Sequence, residues 1–221
     1  MAKPQDSQKQ VVFFDFDNTI TTQDVLDDML LKFSEDDRWA DLEKSWKNKE
    51  IGSLECLKGQ VEGIRVKKEV LDEYLSKVEI DPYFKKLIGL LNSRKIRTII
   101  VSDNFDYILK RILKAHALQD LEMYSNRLKI MDGRLVPNFP HNNKECGDCA
   151  HCKKTTLAKT IANGERTVYI GDGLSDACAS KEADIIFAKD YLEEHLQGEG
   201  IEHIPFNDLK DVYSYFQRSL Q

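Results

Sequence analysis

No apolar run in the 221-residue sequence approaches the about 20 residues needed to cross a bilayer. Residues 1–10 are polar and lack the apolar stretch of a signal peptide, so we expect a cytoplasmic protein with no membrane partner. An excess of positive charge is also absent. The net charge is -6, which argues against a nucleic-acid partner because nucleic-acid-binding domains usually carry a basic face. Small anionic substrates are not excluded, since a metal or a few cations can hold them.

Cysteine is scarce, and its pattern does not indicate a disulfide framework. The chain has five cysteines, an odd number, and three of them lie close together at Cys146, Cys149 and Cys152. Thiolates at this spacing can bind Zn²⁺, with His141 or His151 as a fourth ligand. The alternative is that reduced thiols line or stiffen a loop, as thiols in the cytoplasm stay reduced.

Short apolar runs alternate along the chain with helical patterns. The runs predict strands at residues 11–14, 98–101, 167–170, 184–188 and 201–205. The helical patterns between them cover residues 82–94, 105–115, 155–162 and 175–182. Strands that alternate with helices predict an α/β fold, with a Rossmann-like parallel sheet covered by helices on both faces.

Two segments depart from this alternation. Residues 23–79 contain no convincing strand and carry leucine, lysine and glutamate at helical spacing. We interpret this segment as a small helical cap inserted after the first strand, so that residues 1–22 and 80–221 form the core. Residues 127–136 predict a β-hairpin with an Asp-Gly turn.

Acidic residues cluster where two of the predicted strands end. Asp15 and Asp17 follow the first strand, and Asp172 and Asp176 follow the third. In open parallel sheets the ligand site lies outside the carboxyl ends of the strands, so these carboxylates are expected to converge there. Like charges this close are costly unless a cation joins them or one is protonated. Mg²⁺ takes oxygen ligands and suits such a set.

These residue types suit the transfer of a phosphoryl group. A carboxylate nucleophile can accept the group and release it to water, and a second acid can protonate the leaving oxygen. The transferred oxygens need donors around them. Ser102, after the second strand, could supply a hydroxyl, and Lys153 or Lys154 could supply an ammonium. The alternatives are that Ser102 caps a helix, that the lysine is solvated and that Asp176 only interacts with a helix dipole.

The order of these motifs resembles that of the haloacid dehalogenase superfamily. The matching parts are Asp-Phe-Asp-Asn-Thr from Asp15, Ser102 after a strand, a lysine that opens a helix, and Gly-Asp-Gly-Leu-Ser-Asp ending at Asp176. The resemblance implies that Asp15 is the nucleophile and Asp17 the general acid and base. It also implies Mg²⁺ held by Asp15, the backbone carbonyl of Asp17 and Asp172. Asp176 would assist these ligands.

Within the superfamily, the helical insert is similar to the small cap of the phosphoserine phosphatase group. The loop that ends at Cys152 and Lys153 resembles the branch that holds two kinds of enzyme. One is the methionine-salvage phosphatase, which acts on hydroxy-keto-methylthiopentenyl phosphate, and the other comprises the phosphoethanolamine and phosphocholine phosphatases. This resemblance favours Lys153 over Lys154 as the phosphate ligand.

The expected substrate is a small phosphorylated metabolite. Where the methionine-salvage type has Ser-Gly-Gly, this chain has Ser-Asp-Asn from Ser102, which is closer to the phosphoethanolamine type. Asp103 near the phosphate could face a substrate amine. Asp24 falls where phosphoserine phosphatases place an acidic residue that contacts the substrate. The two acids would select a cationic phosphomonoester, and a solvated or capping role is the alternative for each.

Two other functions can use the same residues. A phosphotransferase or mutase would pass the phosphoryl group from Asp15 to another acceptor. A non-catalytic phosphate-binding regulatory module, similar to a receiver domain, would retain the group. The intact Asp17 and the large helical insert argue against the regulatory module, because a module that keeps its phosphoryl group needs no cap to exclude water.

Overall fold

The computed structural model describes residues 9–146 and 148–219. Its strands are β1 Gln10–Phe14, β2 Arg97–Phe105, β3 Glu122–Met131, β4 Arg134–Asn138, β5 Arg166–Gly171, β6 Ile185–Ala188 and β7 Ile204–Pro205. They form one sheet in the order β4-β3-β2-β1-β5-β6-β7. All neighbouring strands pair in parallel except β3 and β4, which pair antiparallel.

The helices lie before, between and after these strands. They are α1 Val25–Phe33, α2 Arg38–Lys47, α3 Ser53–Glu62, α4 Lys68–Leu75, α5 Phe84–Ser93, α6 Asp106–Ala115, α7 Lys153–Thr160, α8 Ala177–Ser180, α9 Asp190–Gly198 and α10 Leu209–Ser219. In the part of the chain that the structure describes, none of them combines the length and the apolar composition that a membrane crossing requires.

Strand β1 is central, and its side chains point alternately into two apolar cores. Val12 and Phe14 pack with residues of α5, α6 and α10, whereas Val11 and Phe13 pack with Leu157 of α7. All four of these β1 side chains are fully buried. A strand buried on both faces is apolar throughout, which is why β1 appears as a continuous apolar run in the sequence. The predicted α/β fold with helices on both faces of the sheet is confirmed.

Helices α1 to α4 occupy the segment between β1 and α5. Helix α1 begins after Asp24, whose side chain accepts an amide hydrogen bond from the first turn, and it buries Val25 and Met29. The two connections to this segment lie side by side, because Thr21 and Ile80 form an isolated antiparallel bridge. The segment is helical, as the sequence predicts, and its division from the rest of the chain as a cap stays a prediction.

Several elements differ from the sequence-based expectation. The predicted hairpin is present in β3 and β4, but the first part of β3 also pairs in parallel with β2. The predicted strand at 201–205 shrinks to two residues ending at Pro205, which has no amide hydrogen to donate to a ladder. Helix α8 is shorter than the predicted 175–182, because a 3₁₀ turn precedes it. Helices α9 and α10 were not predicted.

Candidate active site

The carboxyl ends of β1, β2 and β5 meet at one edge of the sheet, because these strands are adjacent and parallel. Asp15 directly follows β1, and its amide still donates to the Ile170 carbonyl at 2.9 Å, so the ladder fixes its position. Asp172 directly follows β5, and Asp103 lies near the end of β2. The convergence of acidic residues that the sequence predicts is therefore present in the structure.

A buried lysine joins two of the carboxylates. The Lys153 ammonium donates to Asp15 Oδ1 at 2.5 Å and to Asp176 Oδ1 at 2.7 Å. Only 1% of the Lys153 side chain is exposed. Lys154 instead points outward and pairs with Glu182 at 2.6 Å, with half of its side chain exposed. Of the two candidate lysines, Lys153 is thus the one at the carboxylate cluster.

Asp176 is fixed by donors on all sides. The Tyr169 hydroxyl donates to its Oδ1 at 2.6 Å, and the amides of Asp172 and Gly173 donate to its Oδ2 at 3.1 and 3.0 Å. Gly171 is required beside it, since a Cβ at that position would lie 2.5 Å from Asp176 Oδ2. The glycine of the Gly-Asp motif therefore makes room for the carboxylate that holds Lys153.

Burial and mutual repulsion shift the charges of this cluster. Burial raises the pKa of Asp15 well above its usual value, and Asp176 adds to the rise while Lys153 opposes it. Burial and Asp176 raise the pKa of Asp172 to about 7. Burial acts against the Lys153 charge, but Asp15 and Asp176 hold the Lys153 pKa well above its usual value. The cluster therefore contains more carboxyl groups than the single Lys153 ammonium can neutralise.

The cluster can hold a divalent metal. Oxygen atoms of Asp15, Asp172 and Asp176 all lie within 4.8 Å of one another, and all three residues are buried. The Thr19 hydroxyl donates to Asp172 Oδ1 at 2.9 Å and thereby orients that carboxylate. A set of oxygen donors with excess negative charge fits a hard cation.

Asp17 lies beside the cluster and is held by two other elements. The side-chain amide of Asn104 donates to both of its carboxylate oxygens, at 3.2 and 3.0 Å. The amide of Val25, the first residue of α1, donates to Asp17 Oδ1 at 3.0 Å. Burial raises the pKa of Asp17 well above its usual value, and the nearby Asp24 raises it further. The Asp17 carboxyl is thus favoured in its protonated form.

A cavity of about 480 Å³ lies between the strand ends and helices α1 to α3. Its charged lining residues are Asp15, Asp17, Asp24, Asp27, Glu43, Lys47, Asp103 and Asp172. Its wall on the helical side also includes Trp46, Ser53 and Gln60. Acidic side chains dominate the cavity, and a single lysine on its lining accompanies them.

The two acids predicted to contact a substrate amine both line this cavity. Asp24 also caps α1, since its Oδ1 accepts from the Asp27 amide at 2.9 Å. Burial and the Asp27 charge raise the pKa of Asp24 to about 7. Burial raises the pKa of Asp103, whereas Lys153 lowers it. The capping role proposed as an alternative for Asp24 is therefore present, and it leaves the residue on the cavity wall.

Ser102 is fully buried and its side chain shapes the end of β2. Its Oγ accepts from the Asn104 amide at 3.0 Å. The residue that precedes α6 is Phe105, so Ser102 does not occupy the N-cap position of that helix. Like Lys153 and Asp176, Ser102 is buried and is not among the residues that line the cavity.

The three clustered cysteines do not form a metal centre in the described residues, where the acidic cluster alone has metal-ligand geometry. They lie in the cysteine loop, defined as residues 143–152, of which Gly147 is outside the described residues. Cys149 Sγ donates to the Cys146 carbonyl at 2.7 Å, while Cys152 Sγ lies 3.0 Å from Thr155 Oγ1. No three of these thiol and imidazole ligand atoms converge in the described residues, so the Zn²⁺ site considered from the sequence is not supported.

The sequence analysis did not identify three residues that support the site. Thr19 orients Asp172, and Asn104 holds Asp17. Thr19 ends the Asp-Phe-Asp-Asn-Thr motif and Asn104 ends Ser-Asp-Asn, so their places in these motifs could have identified them. Tyr169 lies in an apolar strand, and the only hint is that a buried hydroxyl needs a partner.

The fold is that of solved phosphoserine phosphatase structures. The model of the family described as Putative Phosphatase matches residues 10–199, and the chain belongs to this family. The protein is a hydrolase that acts on phosphate monoesters. The prediction of a phosphatase family and of the reaction class is confirmed, and the non-catalytic regulatory module is not supported.

Similar proteins agree with this assignment. The chain is 27% identical over 215 residues to the 2-hydroxy-3-keto-5-methylthiopentenyl-1-phosphate phosphatase of Exiguobacterium sibiricum, covering 93% of this chain and 95% of that one. It is 26% identical over 210 residues to the bifunctional enzyme MtnB/MtnX of Bacillus licheniformis. That match covers 93% of this chain but 48% of the bifunctional enzyme, so the chain spans about half its length.

A solved structure of a substrate-bound phosphoserine phosphatase complex has the same fold. It superposes with a TM-score of 0.73 at 21% sequence identity. The match covers 95% of this chain and 99% of that chain. At this identity the likeness shows the fold, which extends through both the sheet and the helical segment.

Proposed function

We propose that the protein is a Mg²⁺-dependent phosphomonoesterase in which Asp15 accepts the phosphoryl group of a small metabolite. The observation that carries the proposal is the contact between Lys153 Nζ and Asp15 Oδ1 at 2.5 Å, at a strand end that lines an acidic cavity. A carboxylate held in place by a buried ammonium is oriented for attack on a substrate that enters the cavity.

Asp15, the backbone carbonyl of Asp17 and Asp172 would hold the Mg²⁺ ion, with Asp176 in support. The fit rests on the oxygen-only donor set and on the excess of buried carboxylates over ammonium groups. When bound, Mg²⁺ neutralises negative charge on the oxygens of the transferred group. Lys153 and the hydroxyl of Ser102 would contribute to the same stabilisation.

The reaction has two steps. First, a carboxylate oxygen of Asp15 forms a bond to phosphorus, the bond to the ester oxygen breaks, and Asp17 gives its proton to that oxygen. The raised pKa of Asp17 favours the protonated form that this step needs. Second, Asp17 takes a proton from a water molecule, which attacks phosphorus and releases phosphate from Asp15.

The substrate that the cavity supports best is a small phosphomonoester with an amine. The cavity volume of about 480 Å³ suits a small molecule and not a protein. A phosphate near Asp15 would place the rest of the substrate toward Asp24, Asp27 and Glu43, which line the helical side. Asp103 lines the same cavity and would lie near the phosphate. A positively charged amine would offset the repulsion among these carboxylates, as in phosphoserine, phosphoethanolamine or phosphocholine.

A second candidate is the methionine-salvage intermediate. The observation that favours it is the name of the similar protein from Exiguobacterium sibiricum, a 2-hydroxy-3-keto-5-methylthiopentenyl-1-phosphate phosphatase. That substrate has no amine, so it would leave the acids of the helical side without a counter-charge.

We also propose a cytoplasmic location and a free metabolite as the partner. The net charge of -6 supports the metabolite as partner, because surfaces that bind nucleic acid are usually basic. Fractionation of cells with an antibody against the chain would test the location.

The experiment is an assay of phosphate release over a panel of phosphomonoesters, with Mg²⁺ and with a chelator. The panel includes phosphoserine, phosphoethanolamine, phosphocholine, the methionine-salvage intermediate and p-nitrophenyl phosphate. We expect release only with Mg²⁺, and higher kcat/KM for the amines. A higher kcat/KM for the methionine-salvage intermediate would reject the amine and favour the second candidate.

Asp15→Asn is the variant that tests the nucleophile. It should lower kcat by about 10⁴-fold or more for every substrate, because loss of a covalent nucleophile removes most of the catalysis. Trapping of a phosphorylated peptide that contains Asp15 in the wild type, and its absence in the variant, completes the test. Turnover that is unchanged in Asp15→Asn would reject the mechanism. Addition of alcohol acceptors would reveal transfer to a group other than water.

A further inference from the structure

Two side chains mark the place where the cavity opens to solvent. Among the described residues that line the cavity, only Lys47 and Tyr191 are exposed, and the others are buried or half-buried. Lys47 is the last residue of α2, and 64% of its side chain is exposed. Tyr191 lies in the first turn of α9 and is 48% exposed. A residue that both lines a cavity and contacts solvent lies at its mouth, so these two residues define the mouth.

The helical segment between β1 and α5 is attached to the rest of the chain at points away from this mouth. Its two ends meet at the bridge between Thr21 and Ile80. Four further hydrogen bonds hold α1, α3, α4 and the connection between α3 and α4. Their donor and acceptor residues are Val25 and Asp17, Ala150 and Ser53, Arg111 and Asp72, and Val66 and Gly133. None of these four hydrogen bonds involves α2.

Helix α2 has no such attachment across the mouth. Among the described residues, no hydrogen bond or ion pair joins residues 38–52 to residues 172–195. Helix α2 packs instead against α3, where Gln60 Nε2 donates to the Trp39 carbonyl at 3.5 Å. A small molecule can therefore reach the cavity between α2 and α9 without breaking a hydrogen bond that holds the helical segment.

The backbone holds Tyr191 close to the acidic cluster. The Leu192 amide donates to the Asp172 carbonyl at 2.8 Å, and the Leu192 side chain is fully buried. Asp190 has a φ of 50°, in the left-handed region that residues other than glycine seldom adopt, so the fold imposes the direction in which α9 begins. The Tyr191 ring is nearly parallel to the His195 ring, with 6.2 Å between their centroids. These neighbours determine where the Tyr191 ring borders the mouth.

We propose that substrates enter the cavity between Tyr191 and Lys47, and that Tyr191 is a specificity-determining residue whose ring limits the width of the group attached to the phosphate. A phosphate that reaches Asp15 and Asp172 must pass this ring, and the group that follows it lies beside the ring. Lys47 has a long flexible stem that can move aside, whereas the position of the Tyr191 ring is determined by α9. The inference rests on the proposed function, since a phosphomonoester must reach Asp15.

The test compares kcat/KM for phenyl phosphate and naphthyl phosphate with Mg²⁺ in the full chain. Both esters have an aryl leaving group and no amine, and they differ mainly in width. Tyr191→Ala should raise the ratio of the naphthyl to the phenyl value by about tenfold, because a steric limit is removed. Tyr191→Trp should lower this ratio.

Two control variants should leave the ratio as it is in the wild type. Tyr191→Phe keeps the ring and removes only the hydroxyl. Gln197→Ala changes an exposed side chain of the same helix that is not among the residues that line the cavity. Because Tyr191 is exposed and lies on a helix, its substitution should leave the buried carboxylates in place, and kcat for phenyl phosphate should stay close to the wild-type value.

A ratio that stays the same or falls in Tyr191→Ala would overturn the proposal. An equal change for both esters would also overturn it, because Tyr191 would then have a purely structural role. Binding measurements separate this proposal from the proposed function. If the wild type binds both esters but releases no phosphate, the function is rejected, and the same comparison of variants is made on the ratio of the dissociation constants. A wild type that binds neither ester would reject both.

Discussion

The two walls of the cavity hold their charges differently. On the sheet side, Asp176 accepts hydrogen bonds from Lys153, from the Tyr169 hydroxyl and from two backbone amides. On the helical side, Asp27 has its pKa raised by burial and by Glu43, and Glu43 pairs with Lys47, which is 64% exposed. Buried hydrogen bonds hold the groups of the sheet side in place, whereas the helical side is acidic and only partly neutralised.

This difference suggests that residues of the sheet side carry out the reaction and residues of the helical side select the substrate. Groups that must stay aligned with phosphorus lie at strand ends, where backbone ladders and buried partners hold them. Groups on α1 and α2 lie on the opposite wall, where a change of side chain leaves the sheet untouched. We therefore expect variants of the sheet side to affect all substrates, and variants of the helical side to affect only some of them.

Among the variants that compare the two walls, Gly171→Ala should have the largest effect, because it acts on every substrate. The new Cβ would lie 2.5 Å from Asp176 Oδ2, so Asp176 and with it Lys153 must move. We expect kcat/KM to fall by about 10²-fold for amine-bearing and neutral substrates alike, since the nucleophile loses its alignment. The matched control is Gly89→Ala, because a Cβ at Gly89 has no neighbour within 4 Å. A loss confined to one substrate class would contradict the expectation that sheet-side variants affect all substrates.

The next effect concerns Asn104, which donates to both oxygens of Asp17. Asn104→Ala should lower kcat/KM by about 10²-fold for alkyl phosphates, because their leaving oxygens need a well-placed general acid. It should change p-nitrophenyl phosphate much less, since nitrophenolate leaves without a proton. Asp17→Asn should show the same leaving-group dependence. Equal losses on both kinds of substrate would assign Asn104 a purely structural role.

A smaller and selective effect is expected at Glu43, which lines the cavity from α2. Glu43→Gln should lower kcat/KM for phosphoethanolamine by about fivefold, the size of a partly exposed charge interaction of about 1 kcal/mol. It should leave p-nitrophenyl phosphate unchanged. Glu55→Gln, an exposed site on α3, is the matched control. An equal fall for both substrates would show that the helical side does not select charge.

The smallest effect should appear in stability and not in turnover. The pKa of Asp24 is raised from 3.8 to about 7 by burial, so its ionised form opposes folding. The stability that its protonated form allows is fully present below about pH 4 and is lost as pH rises through 7. Asn at an N-cap is as good as Asp. Asp24→Asn should thus match the wild type near pH 4 and unfold at a higher temperature near pH 8.

Thermal unfolding without Mg²⁺ at the two pH values checks this difference. A Tm difference between the wild type and Asp24→Asn that is the same at both pH values would contradict the raised pKa. Asp36→Asn is a suitable control. Asp36 is exposed, and hydrogen bonds from Arg38 lower its pKa instead of raising it.

The sheet and the acidic cluster could be predicted because their signals are local. A fully buried strand such as β1 must be apolar, and a polar run such as the one from Asp15 must follow where the strand leaves the core. The helical patterns of α1 and α5 depend on spacing within a few residues. Helix α10 carries the same kind of spacing in Leu209, Val212 and Phe216, so its omission was an error of interpretation and not a missing signal.

The contacts between distant side chains could not be predicted in this way. Thr19 and Asp172 are 153 positions apart, and only the pairing of β1 with β5 brings them within 2.9 Å. The arrangement of the three clustered cysteines could not be predicted for a different reason. Their spacing is compatible with a metal site and with free thiols. In the folded chain Cys149 Sγ hydrogen-bonds to the Cys146 carbonyl, a contact that the spacing does not predict.

The bridge between Thr21 and Ile80 has a consequence for chain entropy and for evolution. The polypeptide leaves the part of the chain that contains the sheet and returns to it at neighbouring points, where the Asp81 amide donates to the Ile20 carbonyl at 2.8 Å. Closing a loop between such points costs only slightly more when the loop is long. Helical segments of very different length can therefore be exchanged at this position without displacing β1 or α5, and substrate range can diverge while phosphoryl chemistry stays the same.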